Sequence, residues 1–156
     1  QWEVAPDDHV FSGQSYDECS FTTYATHDHP PMKAMWDGCI QRMHHDPEHD
    51  ERMKAGRELR LLTEFADMPP SDHYDAYNNT IKWQLMRALL ASTSRYAACM
   101  ITDLFGMTDR FNVPGLVSDA NWRTRFPHTA QQMRDDAAMA AEAAKFHELA
   151  KETQRA

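Results

Sequence analysis

The sequence predicts a helix-rich α/β fold that forms one end of a larger parallel sheet. Two short segments rich in β-branched and aromatic residues, 19–26 and 95–102, alternate with amphipathic helices, which is the order of βαβ units. Two strands cannot close a sheet or cover both of its faces, and a complete α/β barrel takes about 250 residues. The chain has 156 residues and begins with Gln1, so we expect it to be part of a longer fold.

The first half is predicted to hold one strand and one helix after an irregular start over residues 1–18. Segment 19–26 (CSFTTYAT) is expected to be a buried strand. Pro30 and Pro31 then begin a helix that runs to about Met43, because proline is tolerated in the first helical turn. One face of this helix carries Met32, Met35, Trp36, Cys39 and Met43.

Two further helices are predicted before the second strand. The first has Asp46 as its N-cap and Pro47 in its first turn, and it ends before the segment DMPPSD. Its apolar stripe consists of Ala55, Leu59, Leu62 and Ala66. The second runs from about Thr80 to Thr93 and is apolar on several sides, so it is expected to be buried.

The last third begins with the second buried strand, 95–102, and a short helical turn that ends at Gly106. An irregular segment, 108–127, follows. Residues 127–156 are predicted to form a closing element, with one continuous helix from about residue 129 to 154. Its inner face is expected to carry Met133, Ala137, Ala140 and Ala144.

Composition narrows the class of ligand and the cellular setting. The chain has 24 acidic and 16 basic side chains and a net charge of −8, which disfavours nucleic acid and other phosphate ligands and fits a neutral ligand. No apolar run approaches the roughly 18–20 residues that span a membrane, and the start, QWEVAPDD, is not a signal peptide. Three widely spaced cysteines indicate reduced thiols and a cytoplasmic location.

The triplet His27-Asp28-His29 follows the first predicted strand and is the first candidate site. Catalytic groups lie at this end of the strands in α/β barrel enzymes, but Asp28 could equally cap the helix that begins at the two prolines. A metal site of all three side chains, as in a metal-dependent hydrolase, is a further interpretation. It is disfavoured because neighbouring strand positions point to opposite sides and no CxxC or HExxH motif is present.

A second set of polar residues lies between residues 101 and 125, after the second strand. It contains Thr102, Asp103, Asn112, Asn121, Trp122, Arg123 and Arg125. Amides and carboxylates that bond vicinal hydroxyls, with an aromatic ring that stacks on a sugar, are typical of carbohydrate sites. A rigid Pro-Gly loop whose tryptophan closes the end of the fold is a structural interpretation of the same residues, and the two are compatible.

These motifs together resemble a known family. The segments YATHDHPPMKAMWD, LLASTSRYAACMITDLFG, FNVPG and NWRTR, in this order over about residues 20–126, resemble the C-terminal part of the 4-α-glucanotransferases of glycoside hydrolase family 77, the amylomaltases or disproportionating enzymes. The resemblance implies a single catalytic (β/α)8 barrel, of which residues 1–156 would be the C-terminal portion with about the last two βα units. It implies no cofactor and no metal.

The resemblance also implies a reaction and roles for individual residues. The family cleaves an α-1,4-glucan with retention and passes the segment to the 4-hydroxyl of an acceptor sugar. Asp28 matches the carboxylate that grips the 2- and 3-hydroxyls of the sugar under attack, and His27 matches its neighbour. Asp103, Asn112 and the pair Asn121–Trp122 would lie on or beside the glucan groove, with Asp103 facing it most directly. His29 receives no role.

The sequence departs from the family in one respect. Its aspartate nucleophile and glutamate acid–base belong to earlier strands, and nothing here matches them. Retention needs two carboxyl groups about 5–5.5 Å apart, so we expect this chain alone to be inactive, with an open sheet edge and with the remainder of its own barrel as its partner. A non-catalytic helical interaction module is the remaining alternative.

Overall fold

The computed structural model describes residues 4–71, 73–119 and 121–155. Strands β1 (Phe21–Thr22) and β2 (Tyr96–Ala97) pair in parallel, with Phe21 opposite Tyr96 and Thr22 opposite Ala97. The helices are α1 (Met32–His45), α2 (His49–Phe65), α3 (Asn79–Ala91), α4 (Ile101–Leu104), α5 (Ala130–Asp135) and α6 (Ala137–Glu152). No helix within the described ranges is long and apolar enough to cross a membrane.

The main core forms where α1 packs on α2. It contains Met32, Trp36 and Cys39 from α1, Ala55, Leu59 and Leu62 from α2, and Ile81 and Leu85 from α3. Met35, Met43 and Ala66 pack against its edge. The apolar faces predicted for the first two helices are therefore confirmed, since their spacing of three and four residues places each set on one side of its helix.

Helix α3 lies between two layers of side chains. Ile81 and Leu85 face the main core, whereas Trp83, Met86 and Leu90 form a second cluster with Leu149 of α6. The predicted burial of this helix on several sides is confirmed, and it follows from apolar residues around the whole circumference. Its N-terminus is capped by the Asn78 side chain, which accepts hydrogen bonds from the backbone N–H groups of Thr80 and Ile81.

The two strands are shorter and more exposed than predicted. Phe21 and Tyr96 are each 62% exposed, so the expectation of two buried strands over 19–26 and 95–102 is wrong for this chain. Each strand pairs only with the other in the described chain, and neither Phe21 nor Tyr96 is covered. Helix α4 also begins inside the second predicted strand and ends before Gly106, whose positive φ of 63° suits a glycine after a helix.

The start of α2 differs from the prediction by a short turn. The Asp46 side chain accepts a hydrogen bond from the backbone N–H of Glu48 at 2.9 Å, and the helix begins only at His49. The local bond to Asp46 therefore closes a turn ahead of the helix and not the first turn of the helix itself, as aspartate often does.

The closing element is two helices and not one. Asp136 is extended between α5 and α6, and its side chain accepts from the Met139 backbone N–H at 2.9 Å, so it caps a new helix. The predicted inner face is wrong at Ala137 and Ala144, which are exposed, whereas Met133 and Ala140 are partly buried. The face that packs on α3 and α4 instead carries Glu142, Phe146, Leu149 and Ala150. Phe146 and Leu149 bury more apolar surface there than alanine would.

Candidate functional site

The first part of the site is a tight turn that follows β1. The His29 backbone N–H donates to the Thr26 carbonyl at 3.0 Å, and the Thr26 hydroxyl accepts from the Asp28 backbone N–H at 3.4 Å. The His29 ring bonds the same hydroxyl at 3.0 Å. The turn therefore places His27 and Asp28 at its outer side, while the His29 ring is held against Thr26.

Asp28 does not cap α1, so that alternative is wrong. The N-cap of α1 is Pro31, and no side chain at that position makes a capping hydrogen bond. The cap comes from Asp103, far along the chain, whose Oδ1 accepts from the Met32 backbone N–H at 2.7 Å. The Asp28 carboxylate is consequently available for another role.

The second part of the site is the loop after β2. The Trp122 backbone N–H donates to the Phe111 carbonyl at 2.7 Å and closes this loop. The Asn121 amide accepts from the Val113 N–H at 3.1 Å and donates to the carbonyls of Val113 and Leu116 at 3.2 and 2.7 Å. Trp122 itself has a φ of 65°, an uncommon backbone conformation for a bulky residue that the surrounding bonds hold in place.

The two parts meet because the carboxyl ends of paired parallel strands share one edge of the sheet. Asn112 donates its side-chain Nδ2–H to Asp28 Oδ1 at 2.6 Å, and Arg110 donates from Nη2 to the Asp28 carbonyl at 2.9 Å. His27 Nε2 lies 3.3 Å from Asp28 Oδ1. The His27 and Trp122 rings are 4.9 Å apart between centroids and tilted by 45°.

This cluster is open to a ligand. The Asp28 side chain is 43% exposed and its His27 neighbour is 54% exposed, and Trp122 also presents much of its ring to the surface. A carboxylate with one occupied and one open oxygen can accept a hydrogen bond from a hydroxyl, and an exposed indole can stack on the apolar face of a sugar. The arrangement therefore suits a neutral, hydroxyl-rich ligand.

Two residues predicted to bind substrate make structural contacts. Asp103 is 1% exposed and faces the N-terminus of α1 instead of an open groove. Burial raises the pKa of its carboxyl, although backbone hydrogen bonds with Met32 and Met100 oppose that shift. The Asn121 amide is engaged by its own loop. Of the four predicted substrate-binding residues, Asn112 and Trp122 are the ones that the structure brings to Asp28 and His27.

The positions of His27, Asp28 and His29 also test whether the triplet could form a metal site. His27 approaches Asp28, but His29 bonds Thr26. Within the described residues, no three His, Cys, Asp or Glu side chains form a group that could hold a metal ion. The triplet is thus divided into a His-Asp pair and a separate histidine.

Sequence reasoning missed Arg110 and Thr26. Arg110 stands two residues before Asn112, and in an extended segment two such residues point to the same side. This alternation could have marked both as neighbours of one group. Thr26 carried no comparable signal, because its role depends on the turn that the chain makes after β1.

Part of a known enzyme structure has a fold similar to that of this chain. The fold resembles part of the amylomaltase from Streptococcus agalactiae, whose solved structure is a complex with acarbose, with a TM-score of 0.55 and 16% sequence identity. The likeness covers 90% of this chain and 23% of the amylomaltase chain, so the chain spans less than a quarter of that enzyme. None of the curated proteins compared with the chain matches it significantly.

A family model identifies the family of this chain. The chain has a helix-rich α/β fold that matches part of an amylomaltase fold. More particularly, the chain belongs to glycoside hydrolase family 77, the 4-alpha-glucanotransferases, whose model matches residues 1–131.

Proposed function

We propose that this chain is the C-terminal part of the (β/α)8 barrel of a cytoplasmic 4-α-glucanotransferase. In this proposal β1 and β2 are the last two barrel strands, residues 1–156 belong to one catalytic domain, and α5 and α6 close it. The substrate is an α-1,4-glucan, a segment of which passes with retention to the 4-hydroxyl of an acceptor sugar. The parallel pairing of the two strands and the three free cysteines, Cys19, Cys39 and Cys99, support the placement and the location.

The observation that carries the proposal is the exposed Asp28 carboxylate, which is held by His27 and Asn112 at the carboxyl edge of the sheet. As the reacting sugar flattens toward an oxocarbenium-like state, hydrogen bonds to its 2-hydroxyl strengthen and contribute several kcal/mol. The negative charge of Asp28 also stabilises the developing positive charge. Trp122 offers its ring to a neighbouring sugar unit.

The remaining chemistry belongs to the rest of the barrel. Retaining cleavage needs a nucleophile and an acid–base carboxyl about 5–5.5 Å apart across the bond. Asp28 supplies neither role in this proposal, and no motif of the chain matches those two residues. The chain by itself is therefore inactive and works only with the upstream strands that carry them.

The proposal is tested by Asp28→Asn in the polypeptide that joins this chain to the upstream barrel. The neutral amide keeps the shape of the side chain but removes the charge and its preference for a hydroxyl donor, so turnover of maltotriose should fall by about 10²- to 10³-fold. Glucose release measures the reaction, and a thermal melt reports on the fold.

Asp119→Asn is the matched control, because it makes the same change at an exposed side chain on the loop after β2. Turnover within about twofold of wild type is expected for this control. Near-normal turnover in Asp28→Asn would show that Asp28 takes no part in the reaction. Turnover by the isolated 156-residue chain would refute the assignment of the nucleophile and acid–base to the missing strands.

A further inference from the structure

We propose that Asn112 is a positioning residue, which holds the Asp28 carboxylate in one orientation so that its second oxygen meets the glucan. The sequence predicted that Asn112 binds substrate, and the geometry points to Asp28 as its target instead. The kinetic consequences of this role rest on the proposed function. The contact between Asn112 and Asp28 can be tested independently of it.

The two oxygens of Asp28 have different surroundings. Both neighbouring side chains approach Oδ1, with Asn112 Nδ2 at 2.6 Å and His27 Nε2 at 3.3 Å. Among the described residues, no hydrogen bond reaches Oδ2. Because the shorter contact comes from Asn112, the amide fixes the rotation of the carboxylate, and Oδ2 is left to accept from a sugar hydroxyl.

A second contact, from the segment that carries Asn112, fixes the backbone of Asp28. Arg110 Nη2 donates to the Asp28 carbonyl at 2.9 Å, so side chains two residues apart hold both the main chain and the carboxylate of Asp28. Their segment is itself anchored by the bond from Trp122 N–H to the Phe111 carbonyl. Precise placement of this kind matters because a shift of about 1 Å at a reacting centre costs about 10²-fold in rate.

A positioning role and a substrate-binding role predict different kinetics. Without the Asn112 amide, Asp28 still reaches the substrate but samples other rotations, so the loss falls on the transition state and on kcat. A residue that binds the glucan equally in the ground and transition states would raise KM and leave kcat unchanged. The two roles are therefore separable in one experiment.

The kinetic test uses Asn112→Ala and Asn112→Asp in the polypeptide that includes the upstream barrel, with maltotriose as substrate. For Asn112→Ala we expect kcat to fall about 10- to 100-fold with KM within about threefold. Asn112→Asp places a second carboxylate at the 2.6 Å contact, where both groups cannot be ionised without strong repulsion. The acidic limb of its pH–kcat profile should therefore move to higher pH.

Asn79→Ala and Asn79→Asp are the matched controls, because Asn79 is exposed at the start of α3. They make the same chemical changes without a contact to Asp28, and their kcat and pH profile should stay as in wild type. A higher KM with unchanged kcat in Asn112→Ala, or an acidic limb that does not move in Asn112→Asp, would overturn the inference. So would wild-type kinetics in both variants.

A spectroscopic readout separates this inference from the proposed function. In ¹⁵N-labelled protein, Asp28→Asn should move the side-chain amide signals of Asn112 and leave those of Asn79 in place. Unmoved Asn112 signals would overturn the positioning contact even if the enzyme turns over glucan. Moved Asn112 signals, together with no glucan turnover by the wild-type polypeptide that includes the upstream barrel, would support the contact and reject the glucanotransferase proposal alone.

Discussion

At the scale of single residues, Asp103 is a predicted site residue that has a structural role. It follows β2, yet it caps the helix that follows β1, so one carboxylate joins the two βα units. Its Oδ1 accepts from the Met32 backbone N–H, and its buried Oδ2 has no partner among the described residues. Burial raises the pKa of this carboxyl, so the charged form is less favoured in the folded chain than in the unfolded one.

The raised pKa of Asp103 predicts a pH dependence of stability. The pKa of an unfolded aspartate is about 3.9, and the pKa of Asp103 in the folded chain is higher. The folded state therefore binds the proton more tightly. The stabilisation is full below the unfolded value and is lost as the pH rises through the folded value. In Asp103→Asn this part of the dependence should disappear, which urea unfolding between about pH 4 and pH 7 will show.

Asp119→Asn serves as the control for that series, since the Asp119 side chain is exposed and its substitution should leave the slope unchanged. If the free energies of unfolding of wild type and Asp103→Asn differ by the same amount at every pH, the buried carboxyl of Asp103 does not titrate in this way, and the prediction is wrong.

At the scale of elements, one buried lysine attaches α6 to the body of the chain. Lys82 of α3 is buried, and its ammonium donates to the Leu104 carbonyl at 3.2 Å and to the carboxylate of Glu142 on α6. The same ammonium lies 4.8 Å from the Trp83 ring centroid. Groups on α4 and α6 thus bind a buried charge on α3, and this charge is stabilised by those contacts.

Removal of Glu142 should therefore be costly. Glu142→Leu leaves the Lys82 ammonium buried without its counter-charge, and we expect a loss of about 3 kcal/mol in the free energy of unfolding. The double variant Lys82→Met with Glu142→Leu should recover much of that loss, because it removes the buried charge as well. Urea unfolding of the two single variants and the double variant measures the coupling.

The chain offers a matched pair for comparison. Arg87 and Glu152 join the same two helices, but both side chains are more than half exposed, so their removal should cost less than about 1 kcal/mol. Equal losses at the two pairs would mean that burial of Lys82 contributes nothing, contrary to the prediction.

At the scale of the whole molecule, the two-stranded sheet presents an uncovered aromatic pair. Phe21 and Tyr96 lie directly opposite one another in the parallel register and are each 62% exposed. Directly opposed residues of neighbouring strands share one face of a sheet. Exposed apolar area beside unpaired strand edges is a template for association with another chain.

We therefore expect the isolated chain to self-associate through this face and Phe21→Thr to reduce that association. Binding of the dye ANS and sedimentation velocity measure the exposed apolar surface and the oligomeric state. Met53→Thr is the control, since Met53 is also 62% exposed but lies on α2, away from the sheet. Equal reductions in the two variants would show that the sheet face has no special part in association.

The apolar faces of the helices were predicted more accurately than the residues at which the helices begin. Helices α1 to α3 were predicted well, because the spacing of residues such as Trp36, Leu59 and Leu85 depends only on helix geometry. The helix starts at His49 and Ala137 were missed, because Asp46 and Asp136 compete for backbone N–H groups in ways that several local patterns satisfy.

The site was partly predictable for the same reason. The position of His27 and Asp28 after a strand and the motifs around Asn112 and Trp122 are local, and they indicated the family that the family model also gives. The role of Asp103 could not be read from its position, because a carboxylate after a strand end suits a groove and a buried cap equally well. Only its contact with Met32 distinguishes the two.

The sequence by itself thus determined the order of the elements, the apolar faces of the main helices and the family. The tertiary structure alone decided which polar side chains meet: Asn112 and Arg110 at Asp28, Trp122 at His27, and Asp103 at α1. The physical reason is that periodicity and capping act over a few neighbouring residues, whereas a hydrogen bond between loops depends on how the parallel strands bring distant segments to one edge.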